Sequence, residues 1–106
     1  MGMDVVVVEE TATGQETARV LLAGVPRPVT VRELIRFRVR EEVVRRGGLG
    51  AGVRWEVAAE EALGAFRRNG FFVFVGGRQV EELDLELELG AGERVTFVRL
   101  VPLVGG

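Results

Sequence analysis

The sequence predicts an α+β fold: a mixed sheet of four to five strands, a helix across one face and a further helical insertion. Three observations lead there. Apolar, β-branched runs lie near both ends of the chain, at Val5 to Val8 and Val95 to Val101. Two stretches between them, Val31 to about Arg46 and Trp55 to Phe66, carry apolar residues at helical spacing. After Phe71 the period shortens to two, and glycine turns cut the chain into short segments.

The elements follow in order. Val5–Val8 and "TARVLLAG" flank a turn containing Gly14, the pattern of an N-terminal hairpin, and "VPRP" at 25–28 breaks it. Thr30-Val31-Arg32-Glu33 has the form of a capping box, in which hydroxyl and carboxylate each satisfy an amide at the helix start. The helix it opens places Val31, Leu34, Ile35, Val39 and Val43 on one broad face. Arg38 and Glu42 interrupt that face, so its second half is expected to pack at an edge, leaving core burial to the first three turns. "RRGGLGAG" at 45–52 ends the helix. It lacks the Lys-Ser/Thr ending of a phosphate-binding loop and reads as a connection.

Trp55, Ala58, Ala59, Ala62, Leu63 and Phe66 form the stripe of a second amphipathic helix, with Asn69-Gly70 as its stop. At that spacing Trp55 and Phe66 read as core rather than as a binding surface. "FFVFV" at 71–75 is a buried strand, Gly76-Gly77 a turn and "RQV" a short return strand. Leu83, Leu85, Leu87 and Leu89 alternate with acids, the period of a half-buried strand. "GAGE" turns again, and 94–101 is the last long strand.

Composition narrows function by exclusion. The 106 residues suit a single domain over 1–106. The net charge is −2, with 14 basic residues, all arginine, interspersed among 16 acids, so there is no basic field for nucleic acid. No apolar run is long enough for a membrane span. "MGMDVVVV" lacks the features of a secretory signal, which makes the cytoplasm the expected location.

The chain contains no His, Cys, Ser, Lys or Tyr, which removes the usual general bases, nucleophiles and thiolate metal ligands. Paired carboxylates alone can hydrolyse glycosides, but the acids here fall at exposed helical or alternating positions. Neither an enzyme, a metal site nor a bound cofactor is expected. The absent lysine matches a bias toward GC-rich codons, and it leaves no side-chain amine to accept an isopeptide bond.

The element order, together with the terminal Gly105-Gly106, resembles the ubiquitin-like β-grasp superfamily. In that fold a hairpin leads into a helix across a mixed sheet, and the central last strand projects a flexible diglycine tail. The C-terminal half is similar to the bacterial sulfur carriers of molybdopterin and thiamine biosynthesis. Its matching parts are Val75-Gly76-Gly77, Leu89-Gly90, Gly92-Glu93, Val95 to Val101, Pro102 and Gly105-Gly106. The span of about 47–70 has no counterpart in the minimal carriers and reads as an insertion. The tail at 102–106 departs from ubiquitin, whose residues before the glycines are basic, whereas here they are Leu103 and Val104.

The resemblance implies that an E1-like activating enzyme uses ATP to adenylate the Gly106 carboxylate. Glycine suits a tail that must thread a narrow channel, and without a β-carbon Gly106 leaves its carbonyl open to attack. Three functions follow. A protein modifier would pass Gly106 to amines of target proteins, with E2-like help. A sulfur carrier would bear a Gly106 thiocarboxylate supplied with a sulfurtransferase, for cofactor or tRNA thiolation. A noncovalent β-grasp adaptor would use neither glycine. Pro102, Leu103, Val104 and Gly105 form the tail under the first two. Leu100 is a candidate contact for the activating enzyme or else strand core. Arg99, on the face opposite Leu100, is a candidate partner contact or else a solvated strand residue.

Overall fold

The computed structural model describes residues 2–47, 54–90 and 92–100. Two helices pack with a mixed five-stranded sheet, so the α+β expectation holds. Strands β1 (Gly2–Glu10) and β2 (Glu16–Pro26) form the N-terminal hairpin. Its turn is closed by the Thr11 amide bonding to the Gln15 carbonyl at 2.9 Å and by the Gln15 amide bonding to Thr11 Oγ1 at 3.1 Å. The two-residue strand β3 (Val29–Thr30) leads into helix α1 (Val31–Arg45). The capping box forms as expected: Thr30 Oγ1 accepts from the Glu33 amide, and a Glu33 carboxylate oxygen accepts from the Thr30 amide, both at 3.0 Å.

Helix α2 (Trp55–Arg67) ends where Asn69-Gly70 predicts. Asn69 takes φ 61°, a left-handed conformation that asparagine tolerates. The Asn69 amide bonds to the Phe66 carbonyl and the Gly70 amide to the Ala65 carbonyl, which satisfies the last carbonyls of the helix in a Schellman motif. Strand β4 (Phe71–Val75) turns through Gly76-Gly77 into β5 (Arg78–Val80). Both glycines have positive φ, 58° and 82°, as a two-residue hairpin turn of type I′ requires. After the two-residue β6 (Glu86–Leu87), β7 (Val95–Arg99) is the last strand among the described residues.

The sheet order is β2-β1-β7-β4-β5. The last strand therefore lies at the centre, parallel to β1 and antiparallel to β4. Register sorts the side chains by face. Val5, Val7, Val20, Leu22, Phe71, Val73, Val95 and Phe97 point inward and join one buried cluster with both helices. Phe71 is fully buried, stacked on Phe97 and tilted against Phe66, with ring centroids 5.6 Å apart in each pair. Phe66 is core as expected, whereas Trp55 is half-buried and sits under the Arg36 guanidinium, 5.0 Å from its ring centroid.

Three expectations need correction. Arg38 does not push the second half of α1 to an edge: it is itself buried, and Val39 and Val43 beyond it are buried too. Its charge is accommodated by carboxylate partners inside the molecule. The leucine alternation at 83–89 is not one strand, since only Glu86–Leu87 pair, with Val29–Thr30. The carbonyls of Leu83 and Leu85 instead accept from the amides of Arg32 and Val31, at 2.9 and 3.1 Å. The segment thus serves the open first turn of α1, where amides have no partner within the helix. Leu85 is exposed as a result, while Leu87 and Leu89 are buried. Finally, β7 stops at Arg99, short of the expected 94–101.

Candidate functional site

Of the residues the sequence singles out, the structure describes Arg99 and Leu100. Pro102, Leu103, Val104, Gly105 and Gly106 lie outside the described residues, as does Val101. Arg99 is the last residue of the central strand, in register with Phe71 of β4. Leu100 follows it and is 52% exposed, so it is not strand core. Its amide bonds to the Gly70 carbonyl at 2.9 Å, which ties the departing chain to the stop of α2.

Arg99 is neither simply solvated nor free on the surface. Its Nη1 donates to Glu9 Oε1 at 2.7 Å, and Glu9 is wholly buried. The other Glu9 oxygen, Oε2, accepts from Arg38 Nε. Arg38 Nη2 donates to Glu42 Oε1 at 2.8 Å, and Arg46 Nε donates to Glu42 Oε2 at 3.0 Å. A chain of alternating charge therefore runs Arg46–Glu42–Arg38–Glu9–Arg99, from the end of α1 through the interior to the end of β7. Among buried side-chain polar atoms of the described residues, Arg38 Nη1 alone lacks a hydrogen-bond partner.

The electrostatics follow from this order. Burial pulls Arg38 toward a lower pKa, but its bonds to Glu9 and Glu42 outweigh that and hold it above the ordinary arginine value. Burial likewise pushes Glu42 up, and the Arg38 and Arg46 guanidinia overcome it, holding its carboxyl below the usual range.

Glu9 contradicts the expectation that the acids occupy exposed positions. The signal was nevertheless present in "VVVVEE": Glu9 continues the inward phase of Val5 and Val7 at a period of two. Arg38 likewise falls on the Leu34–Ile35 face of α1. Two opposite charges, each in phase with a buried face, are the pattern that was missed.

Next to the strand end, the outer face of the sheet is partly apolar. Phe72 and Val98 are cross-strand partners there, both half-buried, whereas Val6 and Leu21, partners 42% and 54% exposed, lie beside the beginning of β7. Among the described residues no group of three or more acidic side chains is placed to hold a metal ion, and no helix is long and apolar enough to cross a membrane. Comparison with known protein families, curated proteins and solved structures gives no match for this chain.

Proposed function

We propose that this chain is a ubiquitin-like β-grasp protein whose Gly106 carboxylate is activated by an E1-like enzyme and transferred to amines of other proteins. The observation that carries this reading is the sheet order, in which the last strand lies centrally, parallel to β1, and leads toward Gly105-Gly106. Helix α1 across the inner face and the preceding hairpin support the same reading. Domain organisation follows as one unit over 1–106, with α2 as its insertion.

In this reading the chain is a substrate rather than a catalyst. A Gly106 carboxylate oxygen attacks the α-phosphorus of ATP and pyrophosphate leaves. A thiol of the activating enzyme, and finally a target amine, then displaces AMP and the thiol in turn. Leu100, exposed at the strand end two residues beyond the Phe72–Val98 pair, is a contact for the activating enzyme. Helix α2 enlarges the surface beyond that of a minimal carrier and supplies recognition of a target or an E2-like enzyme.

The sulfur-carrier reading is favoured by one feature, the apolar, proline-containing stretch Pro102-Leu103-Val104 in place of a basic one. Mass spectrometry of the tagged protein, purified from its native host under denaturing conditions, separates the two. Target lysines carrying the tryptic remnant LVPLVGG, residues 100–106, establish the modifier. A free C-terminal peptide heavier by the exchange of oxygen for sulfur establishes the carrier. Unmodified peptide alone, with the activating enzyme present, overturns both and leaves the noncovalent adaptor.

A further inference from the structure

We propose that Glu9 is a positioning residue for the C-terminal segment: by gripping Arg99 inside the sheet, it fixes where the chain leaves β7. The use of such a device rests on the activated-tail reading above, but the device itself does not.

The geometry begins with a gap in the ladder. Strand β7 pairs with β1 only as far as Val98, opposite Glu10, where β1 ends. Arg99 keeps a partner on the β4 side, Phe71, and has none on the β1 side. The Glu9 side chain holds that unpaired flank by accepting from Arg99 Nη1. One residue later the Leu100 amide is held on the β4 side by Gly70. The end of β7 is thus held by one side-chain bond and one backbone bond, from opposite flanks.

Glu9 is poorly able to follow Arg99 if the strand end shifts. Its second oxygen is taken by Arg38, which is 1% exposed and held in turn by Glu42. A carboxylate fixed in this way transmits the position of α1 to the end of β7. A buried ion pair is a weak source of net stability compared with apolar packing, and its best-attested use is to fix register. Placement at the last rung of the central strand matches that use.

Trypsin reads the grip directly, because Arg99 is the last arginine and the chain has no lysine. Cleavage after Arg99 releases residues 100–106, and it requires that side chain to leave Glu9 and enter the protease. The test compares initial rates of tail release from the folded full chain with rates at Arg78 and Arg94. In E9Q, which keeps the shape but loses the charge, tail release should rise about tenfold over those control sites, equivalent to about 1.4 kcal/mol. R99K remains cleavable and keeps its charge but replaces the Nη1–H that Glu9 Oε1 accepts with a rotatable ammonium on a different stem. Its tail release, divided by the rate at the same bond in the urea-unfolded chain, should rise with the same sign, and it serves if E9Q fails to fold. By NMR, the Arg99 guanidinium protons should exchange slowly in the wild type and rapidly in E9Q.

Unchanged tail release, or a rise matched at Arg78 and Arg94, overturns the proposal, because a merely stabilising pair would loosen every site together. The state of Gly106 in protein from the native host is a separate readout. An unmodified Gly106 sinks the activated-tail reading while selective release in E9Q still establishes the grip. A modified Gly106 with unchanged release does the reverse.

Discussion

Replacing Arg38 with methionine should cost much of the stability of this protein, although the apolar stem of the side chain is kept. Arg38 is 1% exposed and Glu9 is 0% exposed. In R38M, Glu9 retains only Arg99, and Glu42 retains only Arg46. Removing one partner of a buried ion pair typically costs about 3–5 kcal/mol, because the remaining charge is left in a medium that solvates it poorly. Small domains have total stabilities of about 5–15 kcal/mol, so R38M should be close to unfolding at the lower end of that range. Removing both charges behaves differently. In E9L/R38M the buried carboxylate and the buried guanidinium go together, and Arg99 and Glu42, at 25% and 21% exposure, can turn to water. The double variant should recover most of the loss, since apolar replacements of buried pairs are often neutral or better. Urea unfolding followed by far-ultraviolet circular dichroism and by Trp55 fluorescence measures both. An R38M loss below about 1 kcal/mol, or costs that simply add in the double variant, would show that Glu9 and Arg38 are not a desolvated, coupled pair.

Other consequences are more local. T30A removes the hydroxyl that caps α1 and should destabilise by about 1 kcal/mol in the same urea assay, with Glu33 retained but unable to compensate. F71A empties the centre of the Phe66–Phe71–Phe97 stack and should cost about 3–5 kcal/mol, lowering the urea midpoint without changing the slope. Glu42 provides a pH signature. Its folded pKa is depressed, so its contribution is complete above its unfolded value near 4.5 and is lost as pH falls through the folded pKa. The stability gap between wild type and E42Q should therefore be constant from neutral pH down to about 5 and shrink below 4.5; a gap that widens with acid refutes the assignment.

Much of the fold was legible because its signals are local. The capping box, the Asn69-Gly70 stop and the Gly76-Gly77 turn each depend on a few adjacent residues. Each was recovered with the expected hydrogen bonds or backbone angles. The stretch 83–89 failed for the opposite reason. Its period of two correctly forecast that Leu87 and Leu89 are buried, but period cannot say what the backbone bonds to. The amides of Arg32 and Val31, in the first turn of α1, take the carbonyls of Leu83 and Leu85, and among the described residues of this stretch only Glu86–Leu87 have a ladder partner.

The ion chain is hidden in the sequence because a charged residue ordinarily marks an exposed position. Taken one at a time, Glu9 and Arg38 look like interruptions of apolar patterns, and an interrupted face suggests an edge. Taken together, they are complementary, since each lies in phase with the side of its element that faces the other. Phase alone cannot bring them into contact, because that depends on how α1 lies across β1. Arg99 shows the same limit more sharply. Its inward phase follows from Val95 and Phe97, yet its partner is decided by β1 ending one residue too early to pair with it. A side chain then does what the backbone ladder no longer can, and the most polar point of the interior comes to lie beside the last rung of the central strand.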